Sequence, residues 1–440
     1  MPFDSSRLRR DSKEGSALVT VLCMVVVLAA VAGSILSLVS QEYMLSKRSL
    51  AWNQAIFAAE SGVEIGWNEI NRLTAINTNG TFMSGWTSAG ANTWTLNNQS
   101  LVPLAGTEGN SLFSVTVVTN SPQAGYVTIT ANGAQGTTLG LSNATRTLVV
   151  TLKPNTPFTM AILAKGLIDF NGNAAVVDSW NSASGDYSAA LKRAHGDIGT
   201  NGQLIDAAGL DVYGNMKTGP GGTVTTASGF NQYQPSGTDT GTNTVSDGLK
   251  VSIPDAKLPT GFLATTDLGA VNNVTTVTGT GGTLDVSATS IDLNGKGKNL
   301  TITGSGTVRL YVSGNTSLGG QSSITITPSP AGSSLKVEFY SGGTVNLDGN
   351  GIMNPDSNAA DFLLYGLPTC TSVSINGTAD FTGAIYAPNA TATLTGGARV
   401  DGSLVANAIN AVGTIDFHYD EALGNAGNVI SYSVANWREM

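Results

Sequence analysis

No charged side chain occurs between Ser16 and Gln41. As a helix this run is ~37 Å long at ~1.5 Å per residue, enough to cross a hydrocarbon core of ~30 Å. Such a stretch must lie in lipid or among other apolar helices. Arg7, Arg9, Arg10 and Lys13 precede it and hold that end in the cytoplasm. Helix-favouring sequence then continues to Leu73 without a proline. Leu45, Trp52, Ile56, Ala59, Val63, Trp67 and Ile70 recur at helical spacing, which predicts that the Trp52 to Ile70 stripe packs on the domain that follows. Gly62 and Gly66 each weaken a helix by about 1 kcal/mol relative to Ala. They serve close packing or are simply tolerated. On composition, three readings of the apolar run stay open: a secretory signal cut near residues 29–33, an uncleaved single-pass anchor, and a segment kept after removal of a short leader.

The whole chain has 54 glycines, nearly all beyond this segment, and only 12% charged residues, too apolar for disorder and suited to an all-β body with tight turns. A formal charge of −9 with scattered positives argues against a nucleic-acid partner. Cys23 and Cys370 are far apart, so no disulfide framework or CxxC metal site is expected. Residues 74–110 read as loop. Alternating runs at 112–118, 126–131 and 145–152 predict a small antiparallel sheet on the helix. Pro154 and Pro157 mark a boundary.

From residue 161 short apolar runs recur between Gly and Asn turns. Val337-Glu338-Phe339-Tyr340, Phe362-Leu363-Leu364-Tyr365, Gly383-Ala384-Ile385-Tyr386 and Gly402-Ser403-Leu404-Val405 align, and each is followed by a second run, at 344–347, 372–375, 391–394 and 409–412. The period is about twenty residues, which predicts a parallel β-helix of about ten coils, with a β-sandwich as the competing fold. Residues 218–248 read as a protruding loop or linker, and residues 253–259 as an extended crossing segment. The expected organisation is a leader (1–15), a long helix (16–73), a small antiparallel domain (74–153), a parallel β-helix (161–423) and a C-terminal tail (424–440).

The N-terminal segment resembles type IV pilin-like proteins, above all the PilX-type minor pilins and the large minor pseudopilin of type II secretion. The residues that carry this are the basic leader ending in Gly15, Ser16 after it, the apolar helix, and Ala58-Ala59-Glu60-Ser61-Gly62-Val63-Glu64. The resemblance implies a prepilin peptidase as partner, a cut between Gly15 and Ser16, and N-methylation of Ser16. The cut removes four basic and three acidic side chains, a net +1, which takes −9 to −10. It also implies inner-membrane insertion with the body extracytoplasmic, then assembly with other pilin-like subunits and display at the pilus or cell surface. Major pilins carry Glu at the fifth mature position, whereas this chain has Thr20. A carboxylate in lipid costs ~2.5–3.5 kcal/mol unless it is paired. Its loss suits a tip or minor subunit, which has no neighbour above it to supply a partner.

The C-terminal half resembles the β-helical domain found behind PilX-type N-termini, through Val177-Asp178-Ser179-Trp180-Asn181-Ser182, residues 382–388, and Asp416-Phe417-His418-Tyr419-Asp420-Glu421-Ala422-Leu423. The resemblance transfers no catalytic residues. His418 beside carboxylates reads either as a cap on the last coil or as a metal or acid–base site; the other histidine is His195. Residues 169–173, 292–296 and 347–351 are like calcium loops but lack their carboxylate density. No catalytic residue, cofactor or metal is expected. The functional expectation is a non-enzymatic minor pilin or pseudopilin that displays its solenoid to a surface glycan or protein. The competing readings are a static scaffold and a membrane-anchored β-helix protein that binds or acts on polysaccharide. Three or more charged side chains converging on the solenoid would favour the polysaccharide reading.

Overall fold

The computed structural model describes residues 11–76, 82, 84–101, 111–123, 125–136, 144–171, 174–226, 229–236, 239, 241–348, 350–354, 357–377, 380–427 and 429–440. The chain is mainly β with one long N-terminal helix, Asp11–Ile76, and divides into two compact units. Most of the expected leader, residues 1–10, lies outside the described residues.

The first unit holds the helix through residue 69 and a six-stranded sheet. In spatial order its strands are Thr87–Gly90, Thr93–Ser100, Ser111–Thr119, Val127–Gln135, Ala144–Asn155 and Ser431–Glu439. The first five pair antiparallel. The three expected strands are present. Two more come from the stretch read as loop, because Thr93–Ser100 takes its register from Ser111–Thr119 and not from local alternation. The sixth corrects the expected tail: Ser431–Glu439 returns to the edge beside Ala144–Asn155. The solenoid is thus an insertion between two neighbouring strands of this sheet.

The helix lies on the sheet by a face that keeps Ala59, Val63 and Ile70 of the expected stripe but turns away from it at Leu45 and Trp52. Ala51, Ala55, Ala58, Ala59, Gly62, Val63 and Gly66 are buried, while Leu45 and Trp52 are 66% and 44% exposed. Close approach is the reason. A Cβ on Gly133 would stand 1.9 Å from the Ala55 carbonyl oxygen and 2.5 Å from the Ala59 nitrogen. Cβ atoms on Gly62 and Gly66 would meet Val115 at 2.9 Å and Ile129 at 3.1 Å. Only small residues fit at those points, so the glycines serve packing and Trp52 and Phe57 turn outward. Trp52 is flanked by the guanidinium groups of Arg48 and Arg146, 5.4 and 4.8 Å from its ring centre. Every residue from 17 to 46 is exposed, and the helix is long and apolar enough to cross a membrane.

The second unit is a parallel β-solenoid, residues 154–433 in the main. Its longest register runs Thr266, Val286, Leu310, Phe339, Leu364, Ile385, Leu404, Ile162, Ile198, Met216, Val245. At ~4.8 Å per strand these ten steps span on the order of 50 Å. The aligned runs read from sequence stack in register, Phe339 on Leu364 on Ile385 on Leu404 and Val345 on Val373 on Ala392. The order of coils, however, is not the order of the chain. The chain enters in the middle of the stack at Ile162–Ala164 and coils to one end at Val245–Ser246. Residues 247–265 then run back past the stack to the other end, and the chain coils up from Thr266–Asp267 until Arg399–Asp420 pairs with its own first coil. Within the stretch expected as a loop or linker, Thr223–Thr225, Asn231–Gln232 and Val245–Ser246 are strands of the last coil on the first path.

The crossing segment is held along its length. Asn201 bonds both backbone groups of Val251, at 2.9 and 2.7 Å. The Tyr386 hydroxyl donates to the Pro254 carbonyl. Under the segment the in-register tyrosines Tyr340, Tyr365 and Tyr386 are buried, and burial raises the Tyr386 hydroxyl well above the usual phenol range. Cys370 is also buried, and desolvation pushes its thiol up to about 11. We expect a thiol alkylator at pH 8 to leave Cys370 unmodified in the native protein and to label it once the solenoid is unfolded; peptide mass mapping reads the difference.

Candidate functional site

The seam between first and last coils gathers the polar side chains that sequence reading singled out. Strand Arg399–Asp420 pairs with Ala174–Trp180 so that His418 stands on Asp178, although they are 240 residues apart. Val177 pairs with Val212 and Val212 with Gln232, so the next residue of each strand continues the column as Asp178, Tyr213 and Tyr233. An insert, residues 181–197, folds over this column. Asn181 starts it by accepting from the Ala183 N–H, and Arg193 exchanges backbone bonds with Ser179 at 2.7 and 3.2 Å.

Asp178 is fully buried and has three partners. His418 Nδ1 lies 2.7 Å from one oxygen, and the Tyr187 hydroxyl and Lys192 ammonium lie 2.7 and 3.2 Å from the other. Tyr187 stacks on the His418 ring at 3.6 Å and meets Trp180 edge-on. Burial and the Asp178 carboxylate push the Tyr187 hydroxyl far above the phenol range. Arg399 grips Asp401 with two donors at 3.0 and 2.9 Å, yet burial outweighs the guanidinium and the Asp401 carboxyl is raised. Further along, Arg193 bonds Asp239 at 2.8 Å and also bonds Glu421, whose other oxygen is 2.9 Å from His195 Nδ1. Burial pushes the Asp239 carboxyl up. The Ala194 N–H and Arg193 outweigh it and hold the group below the usual carboxylate range. That clasp is therefore present at neutral pH and is lost only as pH falls through the lowered value.

The two histidines thus converge on one cluster, one through Asp178 and one through Glu421. Asp178 and Asp420, both fully buried, spend their oxygens on this closure; Asp420 accepts from the Ser182, Ala359 and Ala422 N–H groups. A buried network satisfied in this way specifies one register and one closure. Two of the three motifs quoted from the C-terminal half pair here, residues 416–420 on 176–180, while residues 382–387 pair with residues 401–406, earlier in the same long strand. Sequence reading named His418 as a cap or site residue but missed Tyr187, Lys192 and Arg193, whose only signal was an unusual cluster of charge in a glycine-rich stretch. Among the described residues no group of three His, Cys, Asp or Glu side chains is arranged to hold a metal ion. Of the three calcium-like loops, residues 172, 173 and 349 lie outside the described residues. Gly15, Ser16 and Thr20 all fall within the helix Asp11–Ile76, and Thr20 is exposed.

A family model described as "Domain of unknown function (DUF7305)" matches residues 331–426. No curated protein matches the chain. Among solved structures, the chain is similar to the competence-associated pilin ComZ from Thermus thermophilus, at 13% identity and a TM-score of 0.25, over 89% of this chain and 97% of that one. It is also similar to an ice-binding protein from the Antarctic ascomycete Antarctomyces psychrotrophicus, at 14% identity and a TM-score of 0.24, over 59% of this chain and 95% of that one. Likeness at these scores carries no argument about function.

Proposed function

We propose that the protein is a non-enzymatic minor pilin-like or pseudopilin subunit. It inserts in the inner membrane, joins other pilin-like subunits in a type IV pilus or type II secretion filament, and displays its solenoid outside the cell for adhesion or other surface contact. The helix is the observation that supports this best. It is apolar and exposed from residue 17 to 46, then seated by small residues on an antiparallel sheet. Beyond residue 46 an apolar stripe stays open, with Leu50, Phe57 and Ile65 at 45%, 58% and 40% exposure. Lipid suits the first stretch and neighbouring helices suit both. In this reading prepilin peptidase cuts after Gly15, Ser16 is N-methylated, and Thr20 places the subunit at a tip or minor position. Mass spectrometry of the mature protein should find an N-methylated Ser16 start. An intact Met1, or a start near residue 33, overturns the reading.

One observation favours a second reading, a membrane-anchored protein that binds or acts on polysaccharide. Asp178, Lys192, Arg193, His195, Asp239 and Glu421 converge at the solenoid seam. Turnover of a polysaccharide by the purified chain, lost on Lys192→Ala, supports this second reading.

A further inference from the structure

The column His418, Asp178, Tyr213, Tyr233 ends in an open aromatic face beside a cavity. Tyr213 is enclosed: the Lys192 ammonium lies 3.4 Å from its ring centre, and the Tyr233 ring stacks on it at 4.2 Å and 6°. Tyr233 is 37% exposed and follows strand Asn231–Gln232, whose one partner among the described residues is Leu210–Val212. Among the described residues Tyr213 is the ring stacked on Tyr233, so the other face of Tyr233 suits a flat apolar group. The cavity there is about 440 Å³, within the range of small-molecule sites, and Gln234, Ser236, Asp239 and Arg193 line it with Tyr213 and Tyr233. This rim is fixed beforehand. Gln234 exchanges two bonds with the Asn243 backbone at 2.8 and 2.9 Å, and Asp239 is held by Arg193 and the Ala194 N–H. Ordering it on binding costs little.

We propose that this cavity binds a neutral oligosaccharide, one pyranose ring stacking its C–H face on Tyr233 while its hydroxyls meet the amide, hydroxyl and carboxylate of the rim. The pairing of flat aromatic and polar edge matches a sugar, which is apolar on its face and hydroxylated around it. The ligand is not an anion, because the two cations Lys192 and Arg193 already face three carboxylates, Asp178, Asp239 and Glu421, and neither is left to recruit one. The inference gives the displayed solenoid a ligand class and does not depend on the N-terminal cut, so each can fail without the other.

The test is a printed array of neutral and acidic oligosaccharides probed with the full chain in detergent, followed by titration of the neutral glycan retained most strongly. Tyr233→Ala should weaken that binding about tenfold with the thermal midpoint unchanged, and Tyr233→Phe should keep it, since the ring and not the hydroxyl makes the stack. Four results overturn the proposal: no glycan retained, acidic glycans alone retained, equal binding by Tyr233→Ala, or binding of free indole with no glycan bound.

Discussion

Asp178→Ala should lower the thermal midpoint of the solenoid by on the order of 10 °C. The carboxylate is fully buried and is the common partner of His418, Tyr187 and Lys192. Removing one side of a buried charged network costs about 3–5 kcal/mol, because the groups left behind lose their partner away from water. In a unit of this size each kcal/mol shifts the midpoint by roughly 2–4 °C. The loss falls at the junction that closes the solenoid, so the effect should exceed that of a carboxylate on an outer turn. Asp292→Ala, at an exposed position, is the comparison and should stay within about 0.5 kcal/mol of the native chain. Calorimetry of both variants beside the parent protein decides it; equal midpoints for Asp178→Ala and the parent would mean that the cluster does not hold the seam.

That junction also marks where sequence reading stopped. The coils between residues 335 and 412 are legible because each repeats its neighbour: an apolar run, ending in tyrosine in three of the four, a turn, then a second short run. Parallel stacking places repeats one above another, so aligned text became aligned strands. The meeting of Arg399–Asp420 with Ala174–Trp180 has no such trace. Pairing across 240 residues leaves no local period, and the same two strands would read identically if the first coil stood at the end of the stack. The crossing segment was visible through Pro254 and Pro259, but its consequence was not: it carries the chain from one end of the solenoid to the other, so chain order and coil order part.

The charged insert was illegible for a related reason. Lys192, Arg193 and His195 acquire meaning only from Asp178, Asp239 and Glu421, which the fold brings from three separate coils. The returning strand Ser431–Glu439 was read as a tail because its partner, Ala144–Asn155, lies nearly 300 positions earlier. Exposure along most of its length weakened any alternation that could have marked it.

Gly133→Ala should dislodge the helix from its sheet. The expected stripe and the observed contact share Ala59, Val63 and Ile70 and part at Trp52, which is exposed while Ala51 and Ala55 are buried. Contact is made instead where backbone meets backbone. At Gly133 the new methyl would fall 1.9 Å from one helix carbonyl oxygen and 2.5 Å from an amide nitrogen, and neither can swing aside as a side-chain tip would. Either the helix lifts, or strand Val127–Gln135 bends between two paired neighbours. Overpacking a core usually costs about 1–3 kcal/mol, and a clash with rigid backbone belongs at or above the upper end. Gly136→Ala, three residues on and with open space around its Cβ, is the matched control and should be nearly neutral. Limited proteolysis should cut Gly133→Ala within residues 47–69 while the parent and Gly136→Ala resist. Equal resistance of all three would show that the sheet can shift to admit a methyl, and that the small-residue face is not what sets the distance between helix and sheet.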